Sequence, residues 1–303
     1  MALALKVLFI INSRSKIYHD VLGEIDRARV VFPNISIEVN PTHGPGDSFR
    51  LAHVSTRKNY NAVIGVGGDG TMNEIINGLC FNRSGKEFTI GLIPAGSAND
   101  LVKSTGSKSV KEILQNLIDQ KTVPIDLGAM RHDGFTRGFL NAGTAGVGGL
   151  VFRFVEASKG SLHPRLNYTL AILRGVLSFR RPTVKIEFDN ETHEMGVTLI
   201  VIGKGNYIGY GLGFTPQSSL YDGKFGITIL RHSSYYQLAS KFLKLSNNKP
   251  IDHPWISYHS SKRVKITVLK GRLPLETDGE YFDILEPGES AQFSVEQGVF
   301  HWV

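Results

Sequence analysis

The 303-residue sequence predicts an α/β fold, in which a first domain with a mostly parallel sheet is followed by a β-rich second domain. In the first 126 residues, short apolar runs alternate with segments whose apolar residues recur every three or four positions. Beyond them, short strands of alternating hydrophobicity are separated by turns, which is typical of antiparallel sheets. We therefore expect a boundary near Asp126, with 1–126 in the first domain and 127–290 in the second.

The first domain shows repeats of a strand followed by a helix. Its predicted strands are KVLFII, ISIEV, AVIGV and FTIGLI. Its predicted helices cover 17–32, 47–57, 71–79 and 109–119. Asp47 can N-cap the second helix, and Ser109 with Glu112 forms a capping box that opens the last one. Repeated βα units favour a parallel sheet covered by helices.

The second domain has a different pattern. One apolar helix is predicted over 165–179, and it either packs into the core with its basic side in water or contacts lipid. The remainder is typical of antiparallel strands in a sandwich-like arrangement: TVKIEF, ETHEMGVTLIVI, GKFGITIL, RVKITVL and SAQFSVEQ.

Composition narrows the class of protein. The single cysteine, Cys80, excludes an internal disulfide and a cysteine-rich metal site, so a reducing cytoplasm is the expected compartment. No apolar run is long enough to cross a bilayer. A net charge of +7 favours nucleotides or an anionic membrane surface, or serves solubility alone. Nucleic acid is not the expected partner, because no RNP-like, zinc-finger or helix-turn-helix signature accompanies the charge.

The stretch VIGVGGDGTMNEIINGL, residues 63–79, carries the strongest chemical signal. Its glycines formally satisfy G-x-G-x-x-G, but the next strand ends without the acid that a dinucleotide ribose requires. Asp69 would face a pyrophosphate directly. Such an acid is useful if Mg²⁺ lies between it and phosphate, or if it shapes the loop while backbone N–H groups hold the anion. Phosphoryl transfer uses this acid; in the simpler alternative Asp69 only caps a tight turn.

GVGGDGTMNEIINGL resembles the signature of the diacylglycerol kinase catalytic-domain superfamily, which includes diacylglycerol, sphingosine and ceramide kinases and soluble bacterial lipid kinases. NAD kinases and phosphofructokinases share a shorter GGDG core. Further segments resemble that superfamily in the same order: FIINSRSK, PTHGPGDSFRLA, IPAGSANDLVKS, VPIDLGAM, SSLYDGKFGITIL and TDGE. The resemblance implies an NAD-kinase-like first domain that includes the tail 291–303, and a β-rich domain that accepts the lipid. VIGKGNYIGYGLGF departs from the pattern, because the family usually has asparagine-glycine before its glycine-rich loop.

We expect ATP at the carboxyl ends of the four strands, where loops lead into helix N-termini. Glycines there let the backbone approach the phosphates, and Asp69 positions them through Mg²⁺ or through the loop. The residues expected to bind the nucleotide are Asn12, Ser13, Lys16, Thr42, Gly67, Gly68, Asp69, Gly70, Thr71, Asn73, Glu74 and Ser97. For Asn12 and Thr42, ordinary capping is the alternative.

Phosphoryl transfer also needs a base for the attacking hydroxyl. We expect Glu280, in TDGEYF, to supply it from the second domain, as the resemblance also implies. The alternative is a plain hairpin turn, for which Asp278-Gly279 is a strong signal. The resemblance implies a metal or water network of Ser219, Asp222, the Lys224 backbone and Asp126, although both acids could equally serve only in turns.

The sequence thus predicts an ATP-dependent, Mg²⁺-using lipid kinase, which phosphorylates the hydroxyl of diacylglycerol or a related lipid. It would be cytoplasmic and peripheral at an anionic membrane surface, and a homodimer is compatible with it. The alternatives are a kinase of a non-lipid small molecule such as NAD, and a non-catalytic nucleotide-binding regulator.

Overall fold

The computed structural model describes residues 5–80, 87–158, 164–189, 191–232 and 248–303. The chain divides into two compact units. Unit 1 consists of Met1–Asp126 with Gln297–Val303, and unit 2 is Leu127–Glu296.

Unit 1 alternates strands and helices along its whole length. Its elements are β1 (Leu5–Asn12), α1 (Tyr18–Val31), β2 (Ile35–Thr42), α2 (Asp47–Ser55), β3 (Ala62–Gly67), α3 (Asp69–Cys80), β4 (Phe88–Pro94), α4 (Asp100–Thr105) and α5 (Val110–Ile118). Every predicted strand and helix of this region is present. The short helix α4 was not predicted from the sequence.

The sheet of unit 1 is parallel and has the order β4-β3-β1-β2. Its register places Asn12 opposite Thr42 and Gly67 opposite Pro94, so the carboxyl ends of the four strands lie at one edge. The tail of the chain adds a further parallel strand beside β4, with Phe300 opposite Phe88.

Apolar residues of alternating strand positions build the core of unit 1. Phe9 on β1 and Ile64 on β3 pack with Ile25 of α1 and Ile113 of α5, and all four are buried. Burying each such side chain stabilises the fold by about 1.5–3 kcal/mol. The capping box predicted at Ser109 is confirmed, because Ser109 and Glu112 exchange both side chain–backbone hydrogen bonds.

The start of α2 differs from the prediction. Its N-cap is Gly46, in the left-handed region at φ 81°, and Asp47 is the first helical residue. The Asp47 carboxylate accepts a hydrogen bond from His43 N (2.8 Å) instead of capping the helix.

Unit 2 is mostly antiparallel. Its elements are β6 (Phe135–Phe139), β7 (Ala142–Gly146), α6 (Val147–Ala157), α7 (Pro164–Ser178), β8 (Thr183–Phe188), β9 (Glu191–Gly203), β10 (Phe225–Arg231), β11 (Ile256–Ser261), β12 (Arg263–Lys270), β13 (Leu273–Thr277) and β14 (Glu280–Leu285). Strands β5 (Val123–His132) and β15 (Ser290–Trp302) begin in one unit and end in the other.

The long strand β9 organises the sheet of unit 2. Its first half pairs with β8, and its second half pairs with β7 and β10. β13 joins β7 to β14. The α/β class with a β-rich second part is therefore confirmed.

Helix α6 is a second helix in a region where the sequence predicted only one. Gly148 and Gly149 lower helix propensity by roughly 1 kcal/mol each, which hides this helix from sequence patterns. The glycines are needed for packing: a Cβ on Gly148 would lie 2.5 Å from Thr144 Oγ1, and one on Gly149 would lie 2.8 Å from Pro274 Cβ.

Candidate functional site

Four loops meet at the carboxyl edge of the unit 1 sheet, where ligands of open parallel sheets collect. They cover 12–16, 42–47, 67–73 and 94–100, and contain all the residues expected to bind the nucleotide except Glu74, which follows directly in α3. Side chains of the first loop join its neighbours. Ser13 Oγ donates to the Thr42 carbonyl (2.5 Å), and Ser15 Oγ donates to the Ala95 carbonyl (3.5 Å).

In loops 67–73 and 94–100 the two backbones approach each other closely. A Cβ added to Gly96 would lie 2.4 Å from the Cα of Gly68, so a side chain at this point would force the loops apart. Ala95 N donates to the Gly67 carbonyl (2.7 Å). Asn99, in the left-handed region at φ 50°, accepts from Gly96 N and donates to Gly96 O, both at 2.9 Å. The glycines therefore permit close packing, and Asn99 fixes the shape of its own loop.

Asp69 connects these two loops. Its two carboxylate oxygens accept hydrogen bonds from Asp100 N (3.0 Å) and Leu101 N (2.9 Å), in the first turn of α4. Bonds between a carboxylate and backbone N–H groups are stronger than neutral ones. Asp69 thus shapes the glycine loop by holding the first turn of another helix, and it is more than a cap of its own turn.

Glu74 has a similar bracing position. Its carboxylate accepts from Gly46 N (2.8 Å) and Ser48 N (3.1 Å), and so caps α2, whose N-cap glycine has no side chain. Asn73 is 1% exposed and accepts from the amide of Asn77 through its carbonyl (2.8 Å). Both residues lie beneath the loop surface and support it.

The remaining residues of the expected nucleotide site are more accessible. Lys16 and Ser97 are exposed, Ser13 and Thr71 are half-buried, and Thr42 is buried. The Asn12 side chain accepts from Arg14 N (3.0 Å), which is the local capping geometry that was its alternative.

In unit 2, Asp278 and Gly279 form the two-residue turn between β13 and β14. Their φ values are 48° and 86°, and both are positive, as a type I′ hairpin turn requires. The Asp278 carboxylate accepts from three consecutive backbone N–H groups, those of Leu140 (2.9 Å), Asn141 (2.9 Å) and Ala142 (3.0 Å). The hairpin that carries Glu280 is therefore fixed to the segment before β7.

Glu280 is the first residue of β14 and is partly exposed. Its carboxylate forms an ion pair with Arg137 of β6. The neighbouring Glu276 is 2% exposed and accepts from the Thr144 hydroxyl (2.6 Å) and from Gly279 N. The pKa of Glu276 is raised to about 8, chiefly by burial, with a smaller contribution from the nearby Asp278 and Glu280 carboxylates, while the two hydrogen bonds lower it.

The residues of the expected metal network have definite partners. Asp126 is buried and its Oδ1 accepts from Gly298 N (3.1 Å), which ties the tail of the chain to β5. Asp222 Oδ1 contacts the ammonium of Lys204 (3.1 Å), which also donates to the Lys224 carbonyl (2.8 Å). Within the described ranges, no group of three His, Cys, Asp or Glu side chains could hold a metal ion.

Sequence reasoning missed Arg137, Glu276 and Lys204. Glu276 lies four residues before Glu280, in a strand that has no strong sequence signal. The partners of Arg137 and Lys204 are 143 and 18 residues away, so only the fold reveals them. The departure from asparagine-glycine around Lys204 was the one sequence signal near these residues.

Two family models match the chain. A model described as the diacylglycerol kinase catalytic domain matches residues 6–130. A second, described as the YegS C-terminal NAD kinase beta sandwich-like domain, matches residues 142–288.

Known proteins are similar to the chain over most of its length. A diacylglycerol kinase from Bacillus subtilis is 28% identical over 248 residues, which cover 80% of this chain and 78% of the relative. One from Staphylococcus haemolyticus is 25% identical over 263 residues, covering 86% and 76%.

Solved structures share the fold. A crystal structure of a diacylglycerol kinase from Bacillus anthracis matches with a TM-score of 0.70 and 21% identity, covering 98% of this chain and 96% of that one. Yeast NADH kinase complexed with NADH matches with a TM-score of 0.57 and 11% identity, covering 99% and 82%. The NAD-kinase-like architecture predicted from the sequence is confirmed.

Proposed function

Since the chain belongs to the family of the diacylglycerol kinase catalytic domain, we propose that it transfers the γ-phosphate of ATP to the hydroxyl of diacylglycerol or a related lipid. One observation carries the proposal. Two glycine loops, held together by Asp69, lie at the carboxyl edge of a parallel sheet, where a phosphate chain can approach the backbone.

Unit 1 binds the nucleotide in this proposal. The N–H groups at the start of α3 face the phosphates, with Gly67 and Gly68 leaving room for them, while Lys16 and Thr71 offer a cation and a hydroxyl. Mg²⁺ enters with ATP as part of the substrate and neutralises charge on the transferred group. Asp69 and Glu74 act as braces that keep the loops in shape.

Unit 2 supplies the base. Glu280 accepts the proton of the lipid hydroxyl, because a hydroxyl is a poor nucleophile near neutral pH. Arg137 holds the carboxylate by an ion pair, and Asp278 holds the hairpin from which it extends. Both are positioning residues in this scheme.

A lipid panel with labelled ATP tests the proposal. Diacylglycerol, ceramide, sphingosine and NAD are offered as acceptors to the wild type and to Glu280→Gln, which preserves size but cannot accept a proton. We expect phosphorylated lipid, and a kcat lowered by roughly 10²–10⁴-fold in the variant, with the KM for ATP nearly unchanged. Asp283→Asn is the matched control, because it removes an exposed carboxylate from the same strand.

The other outcomes point elsewhere. Labelled NAD without labelled lipid would indicate the non-lipid kinase. ATP binding without transfer to any acceptor would indicate a nucleotide-binding regulator. Equal losses of ATP affinity and turnover in Glu280→Gln would make the residue a structural group.

An exposed apolar face of helix α7 supports the proposal of a lipid acceptor. Leu166, Leu173 and Leu177 of α7 are 50%, 56% and 63% exposed, and their spacing of seven and four residues puts them on one helix face. The opposite face packs through Ala171 and through Gly175, where a Cβ would lie 2.9 Å from Val151 Cγ2. The core-packed and lipid-contacting alternatives for this helix are therefore compatible. No helix in the described part of the chain has both the length and the apolarity to span a bilayer.

We propose that this leucine face docks on an anionic membrane, since 164–181 contains arginines and no acid. Vesicle co-sedimentation should show more binding to anionic than to neutral lipid, weakened by salt. Replacing the three leucines with serine should reduce the bound fraction several-fold. The control is Val30→Ser with Val31→Ser, which removes exposed apolar side chains from α1. Equal binding by both variants, or binding that salt does not weaken, would contradict this surface.

A further inference from the structure

Lys204 is a fully buried lysine to which the proposed function gives no role. It directly follows β9, and its relative exposure is 0%. Its Nζ donates to Asp222 Oδ1 (3.1 Å) and to the Lys224 carbonyl (2.8 Å). These partners explain how a charge is tolerated here, because burying an ammonium group without compensation is costly.

The backbone around Lys204 is held equally firmly. Lys204 N and Gly205 N both donate to the Asn141 carbonyl, each at 2.8 Å. Gly205 has no room for a side chain, since a Cβ there would lie 2.0 Å from Asn141 Oδ1. The ammonium therefore extends from a fixed point of the chain.

The acceptors of Lys204 belong to residues for which the family resemblance implies a metal or water network, which comprises Asp222, the Lys224 backbone and Ser219. Each of these three residues already accepts a hydrogen bond. Lys224 N also donates to Asp222 Oδ1 (3.1 Å), and Tyr221 N donates to Ser219 Oγ (3.2 Å). Hydrogen bonds thus reach Asp222 Oδ1, the Lys224 carbonyl and Ser219 Oγ without an ion.

A divalent cation does not fit beside this ammonium. Mg²⁺ lies about 2.0–2.1 Å and Ca²⁺ about 2.3–2.6 Å from its oxygen ligands. An ion bound to both oxygens would compete with Nζ for the same position, and the two positive charges would repel strongly next to a buried group.

We propose that the Lys204 ammonium takes the place of a divalent cation in this turn, so that the chain supplies its own positive charge and holds no metal ion at Asp222. The inference concerns unit 2 alone. It does not rest on the proposed kinase activity, and its test needs no turnover.

The test uses nucleotide-free protein and Mn²⁺, which suits carboxylate and carbonyl ligands and is detected by EPR. The wild type and the single variant Asp222→Asn should bind Mn²⁺ equally. Lys204→Ala should lower the Tm in EDTA and create room for an ion. Mn²⁺ at about 100 times its Kd should then raise that Tm by roughly 4 °C. Adding Asp222→Asn to Lys204→Ala should abolish the rise.

Two control variants separate charge from packing. Lys224→Ala removes an exposed lysine side chain from the same turn and leaves its carbonyl in place, so it should gain no Mn²⁺ effect. Lys204→Met removes the charge but keeps most of the volume, so it should also stay insensitive to Mn²⁺.

Saturable Mn²⁺ binding by the wild type that Asp222→Asn removes would overturn the proposal. So would a Lys204→Ala protein that folds and gains no Asp222-dependent stabilisation by Mn²⁺. If Lys204→Ala does not fold, the comparison of the wild type with Asp222→Asn decides the question.

Discussion

The Asp-Gly dipeptides of the two units, Asp69-Gly70 and Asp278-Gly279, serve the same structural purpose in different settings. In unit 1 the dipeptide opens helix α3, and the Asp69 carboxylate accepts from two N–H groups about thirty residues further along. In unit 2 the dipeptide closes a hairpin, and the Asp278 carboxylate accepts from three N–H groups far earlier in the chain. Each aspartate attaches a turn to a distant segment.

The difference lies in what each attachment presents. Asp69 keeps two glycine loops together, so the groups that it holds in position are those of the loop backbone. Asp278 fixes a hairpin whose next side chain is Glu280, so it presents a carboxylate. Under the proposed function, Asp69 would therefore act on the shape of the nucleotide site, while its neighbours would contact the phosphates.

Asp278→Asn should have the largest effect on stability. Asparagine keeps one acceptor oxygen and places an NH₂ group against a backbone N–H that the carboxylate now accepts. We expect the free energy of unfolding to fall by about 3 kcal/mol, since bonds to charged groups contribute about 1.5–3 kcal/mol each. Urea unfolding measures this, with Asp283→Asn as the exposed control on the same hairpin. A loss equal to that of the control would mean that the turn holds itself.

Asp69→Asn should cost less stability, about 2 kcal/mol, because two N–H groups depend on it instead of three. Its main effect should be on the use of ATP. If the glycine loops separate, kcat/KM for ATP should fall by roughly tenfold or more. Asp26→Asn, an exposed acid of α1, is the control. An unchanged Tm without nucleotide, with Mg-ATP affinity lost, would instead show that Asp69 acts through the metal of the substrate.

The hydrogen bonds of Asp69 and Asp278 to distant backbone N–H groups show which features could not be predicted from the sequence. The strands and helices of the first 126 residues, apart from the short helix α4, were predicted because apolar spacing and capping residues are local, as at Ser109 and Glu112. The glycine loop was predicted because the same residues follow one another in the chain. The partners of Asp69 are 31 and 32 residues away, and no local pattern encodes that pairing.

Packing constraints limited the prediction in unit 2. Helix α6 was missed because Gly148 and Gly149, unfavourable in a helix, are required by contacts with Thr144 and Pro274. Lys204 looked like a departure from a family pattern. Only the fold shows that it reaches Asp222 and the Lys224 carbonyl.

The buried Glu276 beside Asp278 makes the stability of unit 2 depend on pH. Its pKa is raised from 4.5 to about 8 in the folded protein, chiefly by burial. Between these values the folded state holds one proton more than the unfolded state. Stability should therefore be greatest below pH 4.5 as far as this group is concerned, decline as pH rises to about 8, and change no further above that.

Glu276→Gln tests this dependence and should have the smallest effect when measured near pH 5. Glutamine resembles the protonated acid, and can still accept from Gly279 N and bond to Thr144. The Tm of the variant should match the wild type at pH 5 and exceed it progressively towards pH 8. The substitution should remove a decline in the free energy of unfolding of at most about 1.4 kcal/mol per pH unit. Parallel curves over this range would show that Glu276 is already ionised when folded, and that Asp278 and Glu280 then share the hairpin with a third negative charge.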